Sequence, residues 1–485
     1  MKSIKYIALS LLIIFTTSCG QDWLDVEPST SIETEGSIQS LTQVEFTLNG
    51  IYSMMRSSDA YSGRIQYYAD VTGDDMQAVS SSKRTGNYYT FSYTRDNGPT
   101  SHWSYLYQII QNANTILATV DNLNIAQEDE DDRDNLKGEA LALRALALFD
   151  LTRIFGYPYQ KDNGASLGVP IVKTNLAIDA KPARNTVKEC YEAVIEDLET
   201  AVGLLEDDFA KGRMSKVAAM SLLSRVYLYR GTAQDNEDAL DMAEQTIKLA
   251  EKKGWRLWSN AEYPTAWAND ANANDPGEIL FEMVITTVES QGKETMGRLN
   301  SYDGYDDMCV TVSFYNYLCE DPDDVRLELM SFDKKKYAYV NKYQPQGDED
   351  IMDANVPILR LSETYLNAAE AAVKTGNNEK AVKYLEAIVS RANPNNSVVG
   401  KTLTLEDVLN ERRKELVAEG HRMYDLMRNG LPVERLDVKN SRISSTRHFC
   451  SQESKNFDWN YYKIVLPIPK AEMDTNPNMV QNPEY

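Results

Sequence analysis

Two amphipathic helical patterns joined by a short polar turn dominate residues 356–392. The apolar positions of the first pattern recur every four residues, which places them on one face of an α-helix. They are Leu361, Tyr365, Ala369 and Val373. Pro357 suits the first turn of a helix, where its missing N–H breaks no hydrogen bond. We therefore expect this helix to begin at residues 356–357.

The turn after this helix carries its own stop signal. Gly376 and Asn377 both tolerate the left-handed conformation that ends many helices. A second apolar stripe follows, formed by Ala381, Leu385, Ile388 and Ala392. The two stripes predict a helical hairpin of the tetratricopeptide kind, and such hairpins bury their apolar faces by stacking on one another.

The same plan recurs earlier in the chain. Residues 213–252 repeat the order of an alanine-rich helix with tyrosines, a short polar break and a second helix that begins near an alanine. Further helical periodicity covers residues 37–55, 103–123, 138–155 and 187–205. An acidic run at residues 128–134 is interpreted as a solvated cap before the next helix. The chain is therefore predicted to be mainly α, with four stacked helical pairs as its scaffold.

Long irregular segments interrupt these helices. Residues 57–101 and 255–343 lose helical periodicity and are rich in Ser, Gly, Asp, Asn and aromatic residues, with one strand predicted at 278–284. Residues 432–461 are irregular as well. Because long segments without regular structure inside a compact unit are usually functional, these loops are the candidates for a ligand face.

The N-terminus has the layout of a secretory signal. Lys2 and Lys5 precede an apolar run at residues 7–15, which is too short to span a bilayer. Small residues then precede Cys19, a pattern that is similar to the lipobox of bacterial lipoproteins. The alternative is an ordinary cleaved signal with an incidental cysteine. Acylation of Cys19 would anchor the protein to a membrane, and acidic residues at 22–27 would form a tether.

Four stretches together resemble the SusD/RagB family of surface lipoproteins. The hairpin at 356–392 resembles its helical pair, residues 138–156 its first core helix, residues 411–430 its charged helix, and residues 466–485 its terminal signature. Together with the lipoprotein start, these matches follow the family's order along the whole chain.

The resemblance implies a SusD-like fold with large inserted loops. It implies a signal peptide at 1–18, a lipidated Cys19 with a tether over 19–36, and a single SusD-like domain at 37–485. Within that domain the scaffold is expected mainly at 37–56, 103–156, 187–252 and 356–428, and the ligand-face loops mainly at 57–102 and 255–345.

The implied function is that of a cell-surface lipoprotein of the outer membrane. Such a protein captures oligosaccharide and passes it to a SusC-like TonB-dependent transporter. The same machinery loaded with peptides is the main alternative. A surface glycosidase and a tetratricopeptide scaffold for protein assembly are further alternatives.

The charge of the chain narrows the range of partners. Its formal net charge is −23, and the resulting field disfavours nucleic acid and anionic membrane surfaces. Neutral glycans and peptides remain compatible. The 29 tyrosines outnumber the 11 phenylalanines, a bias that suits half-hydrated surfaces because tyrosine joins an apolar ring to a polar tip.

No catalytic or cofactor motif is present. The three histidines, at positions 102, 421 and 448, are far apart, and metal-protease, phosphate-loop and nucleophile-elbow motifs are absent. Two carboxylates suffice for glycoside hydrolysis, but no pair stands out among 73 acidic residues. Glu411, Glu415 and Glu419 alternate with arginines and are interpreted as structural ion pairs. We expect a binding protein with no catalytic residue and no cofactor.

Two features have alternative interpretations: the cysteines could be paired or free, and the acidic clusters could be calcium sites or solvated loops. Cys190 is expected to be a buried apolar residue. Cys309, Cys319 and Cys450 lie in or near irregular segments, where either a Cys309–Cys319 disulfide or free thiols are compatible with export. The acidic clusters at 303–307 and 269–276 could hold calcium, but neither follows the EF-hand order, so solvated loops without a metal are predicted.

The loop aromatics are the predicted ligand-binding residues. Sugar rings stack on tryptophan or tyrosine, while amides, carboxylates and arginine bind their hydroxyl groups. One predicted group comprises Asp74, Tyr88, Tyr89, Tyr93 and Arg95. The other comprises Trp258, Trp267, Asn269, Tyr302 and Tyr305. Packing against the scaffold is the alternative role for each aromatic ring.

Overall fold

A computed structural model describes residues 38–207, 212–268, 276–292, 294–345, 350–440, 442–443 and 448–485. The described chain is mainly helical, as predicted. Its helices are α1 Leu41–Met55, α2 Arg64–Val71, α3 Gly86–Tyr89, α4 Ser101–Thr119, α5 Glu130–Phe155, α6 Tyr159–Asp162, α7 Val187–Leu204, α8 Lys216–Arg230, α9 Ala233–Lys252, α10 Met296–Leu299, α11 Val312–Leu318, α12 Leu361–Lys374, α13 Asn378–Ala392, α14 Leu405–Glu415, α15 Arg422–Arg428 and α16 Lys470–Thr475. Its strands are β1 Met76–Ala78, β2 Ile279–Met283, β3 Met308–Val310, β4 Met330–Phe332, β5 Ala338–Val340, β6 Val356–Arg360, β7 Val433–Glu434 and β8 Asn456–Phe457.

The long helices pack in chain order. α4 packs on α5, α5 on α7, α7 on α8, α8 on α9, α9 on α12, and α12 on α13. Each helix thus covers the apolar face of its neighbour, which is the stacking that helical repeats need to bury their core. Gly376 takes the predicted left-handed conformation, with φ of 75°, between α12 and α13.

Local capping sets the start of several of these helices. In α7, α9 and α14 a threonine side chain accepts a hydrogen bond from the third backbone N–H, and an acidic residue bonds back to the threonine N–H. These capping boxes satisfy N–H groups that would otherwise lack partners. The caps are Thr186, Thr232 and Thr404.

The strands form four two-stranded antiparallel sheets: β1–β3, β2–β6, β4–β5 and β7–β8. The predicted strand at 278–284 is β2. The prediction that Pro357 begins a helix is wrong, because residues 356–360 form β6 and pair with β2, and α12 begins only at Leu361. All five residues of β6 are buried, and pairing with the distant strand β2 outweighs the local preference for a helix.

Two other predicted boundaries change. α5 begins at Glu130, so part of the acidic run forms the helix's first turn, where carboxylates interact favourably with the helix dipole. Residues 411–430 do not form one charged helix. A break at 416–421 separates α14 from α15, and Ala418 and Gly420 adopt φ of 66° and 77° there.

The glutamates around this break form a buried ion-pair network, so the structural interpretation of them is confirmed; most of their partners lie on other elements, and Lys414 pairs with Glu411 within α14. Arg360 donates hydrogen bonds to Glu419 at 2.7 Å and to Glu415 at 3.1 Å, and it also pairs with Glu278. Lys342 Nζ lies 2.6 Å from a Glu419 carboxylate oxygen. The network ties the irregular segment before β6 to the helical scaffold.

Candidate functional site

A short sheet brings the two predicted ligand-face loops together. β1 lies in the first loop and β3 in the second, and they pair antiparallel with Met76 opposite Val310 and Ala78 opposite Met308. Just beyond this ladder, the Val79 N–H donates to the Asp307 carbonyl at 2.9 Å. Side chains from residues 79–86 and 294–307 therefore meet at one end of the sheet.

Asp307 fixes the first loop at this junction. It is fully buried, and its carboxylate accepts hydrogen bonds from the Thr85 N–H at 2.9 Å, the Thr85 hydroxyl at 2.7 Å and the Arg84 N–H at 3.2 Å. A buried carboxylate with several donors is well satisfied and holds its partners rigidly. The acidic cluster at 303–307 thus contributes to the structure of this loop through Asp307.

Five side chains lie at this junction, and we term them the loop patch; contacts join four of them, and Tyr302 lies in the same turn as Tyr305. The five side chains are Lys83, Arg84, Glu294, Tyr302 and Tyr305. The Arg84 guanidinium carbon lies 4.0 Å from the centroid of the Tyr305 ring, and Arg84 Nε donates to Glu294 at 2.6 Å. The hydrogen bond to Glu294 raises the pKa of Arg84, and burial offsets only part of this rise. Lys83 donates to the Tyr305 carbonyl.

The loop patch is open to solvent. Tyr302 is 45% exposed, and Tyr305, Lys83, Arg84 and Glu294 are half-buried. The Tyr302 ring lies 6.0 Å from the ring of Tyr339, whose hydroxyl donates to Asp306. Tyr339 is therefore held against the sheet, while the ring of its neighbour Tyr302 is exposed.

The turn that carries both tyrosines depends on close backbone packing. The Tyr305 N–H donates to the Arg298 carbonyl at 2.7 Å. A Cβ on Gly304 would lie 2.2 Å from that same carbonyl oxygen, so only glycine fits there. Arg298 in turn donates to Asp350 at 3.0 Å.

The loop patch combines the groups that bind hydroxyl-rich neutral ligands. Tyrosine faces accept the C–H face of a ring, and guanidinium and carboxylate groups donate to and accept from hydroxyls. The cations and the carboxylate are already paired, so their positions are set before a ligand arrives. Such preorganisation lowers the entropic cost of binding.

The structure places the three predicted tyrosines of the first loop in the core. Tyr88, Tyr89 and Tyr93 are at most 2% exposed, which leaves no ring face for a ligand. Tyr88 packs edge-on against Tyr67 and Tyr68 at 5.6 and 5.7 Å. The Tyr89 hydroxyl bonds to His448, and the Tyr93 hydroxyl donates to the Lys463 carbonyl. Packing is therefore their role here.

The predicted tryptophans are also buried. Trp258 and Trp267 form a second small core with Tyr263, and the Trp267 ring lies 4.8 Å from the Arg360 guanidinium. Asp74 is buried and accepts a hydrogen bond from Arg422 at 2.6 Å. Although burial opposes ionisation, Arg422 lowers the pKa of Asp74. None of these three side chains reaches the loop patch.

Of the other predicted residues, Tyr302 and Tyr305 are in the loop patch. Arg95 is exposed beside Asp96, and Asn269 lies outside the described residues. Lys83, Arg84 and Glu294 were missed by sequence reasoning. The sequence does carry one signal for the two cations: Lys83 and Arg84 are adjacent and follow a run of serines in a strongly acidic chain.

Histidines and cysteines in the described chain are mostly buried. His102, His421 and His448 are all at most 7% exposed. Cys190, Cys309, Cys319 and Cys450 are free thiols, so the alternative of a Cys309–Cys319 disulfide is not realised. Across the residues described, no group of three or more His, Cys, Asp or Glu side chains is arranged to hold a metal ion. The 269–276 cluster lies almost wholly outside those residues.

Comparison with known proteins identifies the family of this chain. Residues 327–485 match the profile described as "SusD family", and residues 22–228 match the profile described as "Starch-binding associating with outer membrane". A solved SusD superfamily protein from Bacteroides vulgatus is 36% identical, aligns over 92% of this chain and all of its own, and superposes with a TM-score of 0.84. The chain belongs to the SusD family.

Two further structures share the SusD-like fold. Another Bacteroides vulgatus protein is 67% identical over 93% of this chain and all of its own, with a TM-score of 0.91. A SusD superfamily protein from Bacteroides thetaiotaomicron is 35% identical over 92% of this chain and all of its own, with a TM-score of 0.84. No helix in the described part of this SusD-like protein is sufficiently long and apolar to cross a membrane.

Proposed function

We propose that this SusD-like protein binds oligosaccharide at the cell surface and passes it to a SusC-like TonB-dependent transporter. The observation that carries the proposal is the loop patch, in which Arg84 pairs with Glu294 and packs on the half-buried Tyr305, and the exposed Tyr302 lies in the same turn. The family description supports a glycan ligand, and the 67% identical Bacteroides vulgatus protein carries the name "Putative sugar binding protein".

Removal of the tyrosines tests the binding face. Tyr302→Ala and Tyr305→Ala should each weaken glycan binding by about 1–2 kcal/mol if the rings stack on sugar. Phe46→Ala is the matched control, because Phe46 is an exposed aromatic on α1, 66% exposed, and contributes nothing to the loop patch. Binding is measured on a glycan array and by calorimetry with the best ligand. Normal binding by both tyrosine variants would exclude the loop patch as the site.

The proposal treats the protein as a binder and not as an enzyme. Support comes from the burial of all three histidines and from the family's character as binding proteins. We expect the purified protein to return its glycan ligand intact after prolonged incubation. A product that disappears when one carboxylate is replaced would indicate a glycosidase instead.

Membrane attachment is proposed to depend on Cys19, which lies outside the described residues. The profile match describes a family associated with the outer membrane, and the sequence before Cys19 is similar to a lipobox. Cys19→Ala should release the mature protein from the membrane fraction. Retention of an acylated, membrane-bound variant would contradict the lipobox interpretation.

The transporter partner is proposed from the family resemblance. A lipid-anchored binder needs a channel to deliver its ligand, and a stable complex of the two should bury more than about 1,200 Å². Affinity purification of the native protein from detergent-solubilised membranes, after growth on the inducing nutrient, should recover a large TonB-dependent barrel. Recovery of the protein alone would favour a free-standing surface binder.

A further inference from the structure

A cavity of about 590 Å³ lies between α14, α15 and residues 431–436. It shares no residue with the loop patch. Leu405, Leu409 and Arg413 follow one another at four-residue spacing along α14, so all three point from one face of that helix into the cavity. Arg422 and Leu426 repeat this spacing on α15. Each helix thus contributes both leucine and arginine to the lining.

The two arginines are held in place but retain unused donors. Arg413 Nε donates to Asp75, and Arg422 donates to Asp74 through Nε at 2.6 Å and Nη2 at 3.2 Å. Within the described chain, both terminal nitrogens of Arg413 and the Nη1 of Arg422 make no hydrogen bond to another residue. Their side chains are only 16% and 14% exposed, so these N–H groups face the cavity in a partly dehydrated setting.

Ion pairing fixes both guanidinium planes; Asp74 occupies the Nε–Nη2 edge of Arg422, while Nη1 of Arg422 and both terminal nitrogens of Arg413 keep free donors. The Arg413 guanidinium also lies 5.1 Å from the Tyr317 ring centroid, which restricts it further. Guanidinium groups with free, coplanar N–H donors bind carboxylates through two parallel hydrogen bonds. A partly buried setting strengthens such bonds relative to water.

The remaining walls combine leucines with polar side chains, which include Asp74, Ser313 and Asn410. Leu405 and Leu426 contribute to them, and Leu431 and Leu436 are 37% and 52% exposed at the edge. Glu406 and Glu434 also line the cavity and are exposed, so a negatively charged group is directed away from them and toward the arginines. In contrast to the loop patch, no aromatic side chain among the described residues lines this cavity, which makes a stacked sugar ring a poor fit.

We propose that this cavity binds a small ligand that joins a carboxylate to a branched aliphatic group. The carboxylate pairs with the free N–H groups of Arg413 and Arg422, and the aliphatic group packs among the leucines. A peptide that ends in leucine and a free branched-chain carboxylic acid both present this chemistry. The site goes beyond the proposed glycan function and does not depend on it.

Calorimetry with three probes tests the proposal: the tripeptide Gly-Gly-Leu, its C-terminal amide, and isocaproate. Saturable binding of an acid, with the amide at least tenfold weaker, supports it. Stronger binding of the tripeptide than of isocaproate identifies a peptide terminus, and equal binding identifies the free acid as sufficient. Equal binding of the amide, or no saturable binding of either acid up to about 10 mM, overturns it.

Two substitutions locate the bound acid. Leu405→Trp should place a bulky ring in the aliphatic wall and weaken binding at least tenfold, whereas Leu176→Trp, a change at an exposed leucine outside the cavity, should leave the affinity unchanged. Arg413→Lys keeps the positive charge beside Asp75 but removes the planar fork, so affinity should fall at least tenfold while the melting temperature is retained. Unchanged affinity in Leu405→Trp would place the acid elsewhere and overturn the assignment.

Discussion

The stability of this protein is expected to depend strongly on the single side chain of Arg360. It is 1% exposed and faces Glu278, Glu415 and Glu419. Arg360→Met would leave these carboxylates buried with fewer partners, so we expect the free energy of unfolding to fall by about 3–5 kcal/mol. Urea denaturation measures the loss.

The matched control for Arg360→Met is Arg256→Met. Arg256 pairs with Glu262 at 2.9 Å, but both side chains are nearly half exposed. Exposed pairs contribute little because water and salt screen them, so a loss of less than about 1 kcal/mol is expected. Equal losses in the two variants would show that the buried network does not contribute as proposed.

His102 should make the protein sensitive to acid. Burial lowers the pKa of His102 to about 4, with a further contribution from Arg64, and the ring packs against Tyr68 and Tyr88. An unfolded histidine titrates near 6.5, so between about pH 6.5 and pH 4 the unfolded state binds more protons, and stability falls as the pH falls.

A phenylalanine at position 102 fits the same aromatic surroundings and does not titrate. Denaturation midpoints measured from pH 7 to pH 4 should therefore decline less steeply in His102→Phe than in the wild type. Parallel declines in the two proteins would assign the acid sensitivity to other groups.

At the scale of elements, the break between α14 and α15 depends on Gly420. Its φ is 77°, and an added Cβ would lie 2.8 Å from the Gln66 carbonyl oxygen. Gly376 has a similar φ of 75° but open space around it. Gly420→Ala should therefore cost about 3 kcal/mol, whereas Gly376→Ala should cost about 1 kcal/mol. Thermal unfolding of both variants checks this difference, and equal costs would mean that Gln66 moves aside.

Elements that depend on local signals were predictable from sequence. The stripe from Leu361 to Val373 and the stop at Gly376 are local, and both appear in the structure. The strand at Pro357 was missed because its partner, β2, lies far upstream in the chain. Residue type alone also could not separate Tyr88 from Tyr302, since burial of a tyrosine depends on which segments pack over it. The β1–β3 pairing that builds the loop patch is likewise non-local.

At the scale of the whole molecule, the net charge of −23 should govern selectivity. A neutral oligosaccharide feels little of this field, so its affinity should change less than about twofold between about 0.05 and 0.5 M NaCl. A sulfated polysaccharide should be repelled at low salt. Calorimetry across this salt range checks both expectations, and tight binding of the polyanion at low salt would contradict them.

The pairing of β1 with β3 has a consequence for engineering and for divergence among relatives. The loop patch is divided between residues 79–86 and 294–307, and Asp307 in one segment orients Arg84 in the other. Grafting either segment alone from a relative would supply half of a recognition surface and misplace the rest. New ligand preferences should therefore arise, or be transplanted, only when both segments change together.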